Sequence, residues 1–327
     1  MAIQLGNKTQ HALLLSDHVI RYARVKGRKL DGVEIIEERY LPQGVFAQGE
    51  VKEVETLLTI LSECVEKWKL RNQKVVFSIP DSLSLVRRHE VPLNIAEASI
   101  TGHLYMELGE SLHLPLEQPV FDWHEIGRTA EYRDLLIFAA PEPAVTTLAR
   151  LMREVRLKPV AADISPLSLY RLYDKMYNTE EKIHTMFLQM APSYMQVSIF
   201  EEELPLVIRT MNFQLDASQW QVTEDASEPL VWQGAEEDIR SSWQDTLEEL
   251  SKLLNFYQYN YQQGKARVDK IVVTGDHPYA GHFVKDVKQR LELPVSTFAE
   301  SDWVTKDNEE IPSKYYAVIG LALKKEV

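Results

Sequence analysis

Apolar positions along the chain fall into two blocks whose elements follow the same order. In the first block, Ala12 to Leu15, Val19 to Val25 and Val33 to Tyr40 are β-rich runs. The turn candidates Ser16-Asp17-His18 and Lys26 to Gly32 separate them, which predicts an antiparallel meander. Leu57, Leu58, Leu61, Val65 and Trp68 then recur at helical spacing, predicting a helix from about Val51 to Lys69, and Lys74 to Ile79 is a short strand stopped by Pro80. The second block opens with strands at Thr185 to Met190, Met195 to Phe200 and Leu204 to Met211. A long helix follows from Ile239 to Tyr261, where Ile239, Trp243, Leu247, Leu250, Leu254, Tyr257 and Tyr261 repeat by three or four. Then come a buried-type strand at Ile271 to Thr274, a turn at Gly275 and a helix to about Leu291, a strand at Pro294 to Phe298 and an apolar helix from Tyr315 to Leu323. Three strands, a helix and a strand thus occur twice. The duplication lies in element order and not in residue identity.

Between the blocks the pattern differs. Leu85 to Val91 reads as a strand closed by Pro92, Ile95 to Ser111 as a helix, and Val120 to Ile126 and Leu135 to Ala140 as strands about a polar turn. A helix from Pro143 to Val155 and a strand from Pro159 to Ile164 complete a unit of its own, about 93–163. Ser165-Pro166 opens a further helix to Tyr177, since serine caps and proline suits the first helical turn. The stretch Val222 to Asp238, acidic and broken by Pro229 and Gly234, reads as a surface excursion. The expected fold class is therefore α/β, with a first lobe of 1–92 and 164–182, an inserted α+β subdomain of 93–163 and a second lobe of 183–327.

Charge and chemistry narrow the function. The 327 residues carry a net charge of -13, which repels phosphate backbones and argues against nucleic acid as a partner. Arg87-Arg88-His89 and the Lys26 to Lys29 turn are the only basic runs. The single cysteine, Cys64, falls in a helical apolar pattern and reads as core. No run approaches the roughly 20 apolar residues of a membrane span, and Met1 to Thr9 lacks an apolar run of signal-peptide type. The expectation is a cytoplasmic protein with no direct membrane insertion. Gly6-Asn7-Lys8-Thr9 lacks the glycine that a phosphate-binding loop needs before its lysine. The nine histidines are scattered; His103 and Glu107, four apart, read as a salt link, so no metal site is expected. Asp163-Ile164-Ser165 reads as a helix cap. Phe256, Tyr259 and Asn260 lie off or beside the long helix's apolar stripe.

Four segments carry a resemblance. Val75 to Pro92 (VVFSIPDSLSLVRRHEVP), Leu135 to Leu172, Ile271 to Val295 and Tyr316 to Leu323 (YAVIGLAL) are similar, in that order, to the PilM family of type IV pilus assembly proteins. The resemblance implies an actin-like fold: a duplicated, ribonuclease H-like pair of lobes with an inserted subdomain and a nucleotide cleft between them. It also implies three nucleotide loops, which in this chain are altered. In the first loop, Leu14 stands for an aspartate, Ser16 for a glycine and Arg21 for a lysine. In the second, Gln189-Met190-Ala191 replaces Asp-x-Gly, with Arg209 on the following hairpin. In the adenosine loop Thr274-Gly275 remain, and Asp276 replaces the second glycine.

A leucine cannot hold Mg²⁺ through water, and a glutamine cannot neutralise a cation. The expectation is a degenerate site that does not hydrolyse ATP, with ATP binding the one cofactor question left open. The family further implies a partner, the cytoplasmic tail of a bitopic PilN-like membrane protein, alongside other pilus assembly proteins. Its groove would lie between the first lobe and the insert, with Arg87, Arg88 and Glu90 as contacts chosen by charge and place. The protein would then sit at the inner face of the cytoplasmic membrane. The alternative is an active actin-like ATPase of the pilus or cell-division (FtsA-like) type.

Overall fold

In the computed structural model, which describes residues 9–177, 183–223, 229–298 and 310–325, each half of the chain builds the same sheet. The first half gives β1 (Thr9–Leu15), β2 (Val19–Lys26), β3 (Val33–Tyr40), a two-residue pair β4 (Phe46–Ala47) and β5 (Glu50–Val51), α1 (Val54–Lys67) and β6 (Lys74–Ile79). An excursion follows: β7 (Leu85–Pro92), α2 (Ile100–Glu107), β8 (Pro119–Arg128), β9 (Tyr132–Pro141) and α3 (Glu142–Glu154). The chain returns through β10 (Lys158–Ile164) and α4 (Ser165–Tyr177). The second half gives β11 (His184–Met190), β12 (Tyr194–Glu201), β13 (Leu204–Asn212), the short pair β14 (Trp220–Val222) and β15 (Leu230–Trp232), and α5 (Glu236–Asn255). It closes with β16 (Lys270–Gly275), α6 (Ala280–Arg290), β17 (Val295–Thr297) and α7 (Tyr316–Ala322).

The two large sheets have strand orders β3-β2-β1-β6-β10 and β13-β12-β11-β16-β17, each an antiparallel meander continued by parallel strands. The duplication expected from element order is thus a duplication of topology. Side chains alternate along the central strands as a period of two demands. Leu13 and Leu15 face an outer core with α1 and α3, whereas Ala12 and Leu14 face an inner core with α4 and α7. In the second sheet, Met186 and Leu188 face α5 and α6, while Phe187 faces inward. Strands covered on both faces read as continuous apolar runs, which is why β1 and β11 are so hydrophobic.

The inner core is shared. Leu169, Tyr170, Leu172 and Tyr173 of α4 and Val318, Ile319 and Leu321 of α7 pack together, in contact with Ala12 and Val25 of the first sheet and Phe187, Phe200 and Val272 of the second. The helices approach closely: a Cβ on Gly320 would lie 1.9 Å from the Ser168 carbonyl oxygen. Glycine therefore allows α7 its place against α4, and Arg171 Nη1 donates to the Gly320 carbonyl at 2.8 Å.

The insert lies differently along the chain from the expected 93–163. β7, from Leu85 onward, pairs with β9, giving a three-stranded sheet β7-β9-β8. α2 covers one face of it with Ile100 and Leu104 against Val91, Leu135 and Ile137. α3 instead packs Leu148, Leu151 and Met152 into the first lobe, and β10 extends that lobe's sheet beside β6. The helix expected over Ile95 to Ser111 is shorter, because a 3₁₀ turn at Glu97–Ser99 precedes it and Gly109, at φ +84°, follows it. The acidic excursion holds the β14–β15 hairpin, anchored by the buried Trp220 and Trp232. α5 ends in a π-helical turn, Phe256–Tyr261, on which Phe256 and Tyr259 are exposed. Gly6, Asn7 and Lys8 lie outside the described residues.

Candidate functional site

The ends of β1, β11 and β16 meet where the two lobes face each other, and there Leu14, Gln189 and Asp276 line one cavity. Ser16, Arg21, Thr274 and Gly275 line it too. Strand register explains the convergence. Leu14 is paired directly with Arg21 across the β1–β2 hairpin, and Gln189 with Thr274 across β11–β16, so the members of each pair point the same way. Arg209 is not among them. It is exposed on β13, 3.5 Å from Glu249, and its neighbour Thr210 faces the lobe junction instead.

The cavity measures about 30 Å³, room for little more than a water molecule. Side chains fill what remains. On one side Asp276 Oδ2 accepts from Arg21 Nη2 at 2.6 Å and contacts His18 Nε2 at 2.6 Å. Arg21 Nε also donates to Glu38 at 3.2 Å, and Lys314 Nζ lies 2.5 Å from the other Glu38 oxygen. Burial alone would weaken the Arg21 charge, but Asp276 and Glu38 more than offset that and raise its pKa. Burial likewise opposes ionisation of Asp276; His18 and Arg21 outweigh it and hold the carboxyl well below the usual carboxylate range.

The turn that presents Asp276 is fixed on both sides. Gly275 sits at φ +117°, where a Cβ would lie 2.1 Å from the Met190 carbonyl oxygen. Asp276 N donates to that same oxygen at 3.0 Å. His277 is buried among Phe213, Trp220, Trp243 and Tyr279, and its Nδ1 accepts from Tyr279 N at 3.1 Å. Burial pushes the His277 pKa down to about 4, so the ring packs as a neutral aromatic.

On the other side stands Asp81, in the 3₁₀ turn that Pro80 opens after β6. Its Oδ1 accepts from Ser165 Oγ at 2.5 Å and its Oδ2 from Tyr194 OH at 3.2 Å. Ser165 Oγ also lies 3.1 Å from Gln189 Oε1; its one proton serves the shorter, charged contact. Thr210 Oγ1 reaches the Asp81 carbonyl at 3.3 Å. Burial pushes the Asp81 pKa up to about 6, and the Ser165 and Tyr194 hydrogen bonds only partly counter it. Ser16 caps its own turn by donating to the Val19 carbonyl at 3.1 Å.

These residues do not fit a nucleotide. Small-molecule sites enclose about 300–1,000 Å³, an order of magnitude more than this cavity. Leu14 is part of the inner core, and the strongest cations present are already engaged by Asp276 and Glu38. Among the described residues no group of three or more His, Cys, Asp or Glu side chains is arranged to hold a metal.

Sequence reasoning placed Leu14, Gln189 and Asp276 and missed His18, Asp81, Ser165 and Tyr194 as members of the junction. Asp81 and Tyr194 are 113 residues apart, a separation that no motif records. The proposed partner contacts lie elsewhere, on β7. Arg87 and Glu90 are exposed there, while Arg88 Nε donates to both Asp134 oxygens at 2.8 Å. On the insert's other side Glu107 accepts His89 Nε2 at 2.7 Å, with His103 at 3.5 Å, so the expected His103–Glu107 link has a third member.

A family model described as type IV pilus assembly protein PilM matches residues 15–326. No curated protein sequence matches the chain. Among solved structures the chain is similar to a PilM-PilN type IV pilus biogenesis complex, with a TM-score of 0.75 at 15% identity over 97% of this chain and 98% of that one. It is also similar to the ethanolamine utilization protein EutJ from Carboxydothermus hydrogenoformans, with a TM-score of 0.54 at 11% identity over 98% and 90% of the two chains. These likenesses establish the fold, the actin-like two-lobed α/β architecture with an inserted subdomain.

Proposed function

The chain belongs to the PilM family of type IV pilus assembly proteins, and from that membership we propose that it is a protein-binding scaffold whose nucleotide cleft has become an internal joint. The observation that carries this is the junction itself: a cavity of about 30 Å³, bridged from lobe to lobe by the Asp276 ion pairs and the Asp81 hydrogen bonds. With the cleft closed, binding falls to the surface. One similar solved structure is described as a PilM-PilN type IV pilus biogenesis complex, which supports a PilN-like membrane protein as the partner here. Its cytoplasmic tail would order in a groove between the first lobe and the insert, burying apolar side chains as a disordered segment does on binding.

Arg87 and Glu90, exposed on β7, are the contacts we assign to that tail; Arg88 serves Asp134 and acts at most through it. Among the described residues no helix is long and apolar enough to cross a membrane, so attachment to the membrane's inner face would come through the partner.

Two measurements test this reading. A tail peptide of the partner should be captured by the tagged protein; no capture at high micromolar peptide would sink the scaffold assignment. Mg-ATP should leave the melting curve flat. A ligand at 100 times its dissociation constant adds about 2.7 kcal/mol, and a stabilisation of that size would restore the ATPase alternative.

A further inference from the structure

We propose that Asp276 is a resident anion: its carboxylate occupies the anion-binding position between Arg21 and His18, and by doing so holds the two lobes closed in the absence of any ligand. The inference deepens the closed-cleft reading and concerns the same junction. Three observations carry it. First, Arg21 Nη2 and His18 Nε2 converge on one oxygen, Oδ2, at 2.6 Å each, and both come from the opposite lobe, 255 and 258 residues away in sequence. Second, Arg21 is only 4% exposed, and a buried guanidinium without counter-anions is strongly unfavourable. Across β1–β2 the neighbour of Arg21 is Leu14, which offers none, and across β2–β3 it is Glu38; among the described residues the carboxylates that meet its charge are Asp276 and Glu38. Third, the carboxylate is aimed by its backbone. The positive φ at Gly275, the Asp276 N–H bond to the Met190 carbonyl and the buried His277 fix the turn before the side chain makes any contact.

It follows that an incoming anion, phosphate included, must displace a carboxylate that is already in place and tethered. The contact is autoinhibitory toward phosphate ligands and adhesive between lobes. Removing it should convert the junction into a site for a small monovalent carboxylate, because Arg21 and His18 remain and the neighbouring cavity adds space.

The test is chemical rescue in the full chain. Asp276→Ala should lower Tm by roughly 5 °C, as loss of one partner of a buried pair does in a chain of this size. Sodium formate at roughly 100 mM, against matched sodium chloride as the screening control, should restore a substantial part of that loss in Asp276→Ala and none in wild type. Small-angle scattering reads the lobes directly: the radius of gyration should rise in Asp276→Ala and fall again with formate. Asp276→Asn keeps the shape and removes the charge; it should show the same opening and no formate response.

An Asp276→Ala protein with wild-type Tm and scattering, or one that formate restores no better than chloride, would overturn the proposal. If Asp276→Ala does not fold, an Asp276→Asn protein with unchanged Tm and scattering would overturn it equally. Failure here leaves the scaffold reading standing, because that reading is judged by capture of the tail peptide.

Discussion

The two sides of the lobe junction hold one buried carboxylate each, at nearly the same depth, and the environments push them in opposite directions. Asp276 faces Arg21 and His18; its pKa falls because, against the cost of burial, these two partners favour the ionised form. Asp81 meets the hydroxyls of Ser165 and Tyr194; its pKa rises to about 6 because burial dominates and those two bonds recover only part of its cost. Depth therefore does not decide the charge state of a buried acid; the sign of its partners does. The lobes are held by a charge-assisted contact on one side and by neutral donors on the other, and the two sides should answer acid differently. A depressed folded pKa gives stability that is present above about pH 4 and lost below it. A raised one gives stability that is present below about pH 4 and lost as pH climbs through 6.

The largest break in this comparison should come from Gly275→Ala. The added Cβ meets the Met190 carbonyl, and φ is +117°, so the turn that delivers Asp276 must move. We expect a loss of about 3 kcal/mol or more in denaturant unfolding, or failure to fold. Next is Asp81→Asn. Two pKa units correspond to about 2.7 kcal/mol, so wild type should gain about that much relative to Asp81→Asn between pH 7 and pH 4. Chemical denaturation at several pH values would read it, and parallel pH profiles for the two proteins would refute the assignment to Asp81. Ser165→Ala should cost about 1 kcal/mol at neutral pH and move the Asp81 midpoint upward, because it removes a bond to the ionised form. Smallest is Arg88→Ala. This pair lies outside the junction and the arginine is half-exposed, so less than about 1 kcal/mol is expected from thermal unfolding, with no change in pH profile.

Much of this was legible in the residues. The β1–β3 and β11–β13 meanders and the stripe of α5 follow from periodicity and α7 from its apolar run, and Leu14, Gln189 and Asp276 line one cavity. What periodicity could not supply was the other half of each contact. His18 looked like a turn residue and Asp81 like a residue beside a proline. Only the pairing of β1 with β6, and the facing of two sheets, brings them to their partners. The insert's edges differ for a related reason: β7 mixes apolar and charged residues, and nothing local says which of two sheets it will join. Arg209 and Thr210 are adjacent on a strand, where a one-residue step reverses the face.

The position of α7 bears on how the protein is made. Its side chains cover the inner face of β1 and β2, yet the two are about 300 residues apart in the chain, and such distant pairings slow folding. While the ribosome is still adding the second half, the inner face of the first sheet lacks part of its native cover. The inner face of the first sheet, already flanked by α4, therefore gains the α7 part of its cover only after the second half has been made.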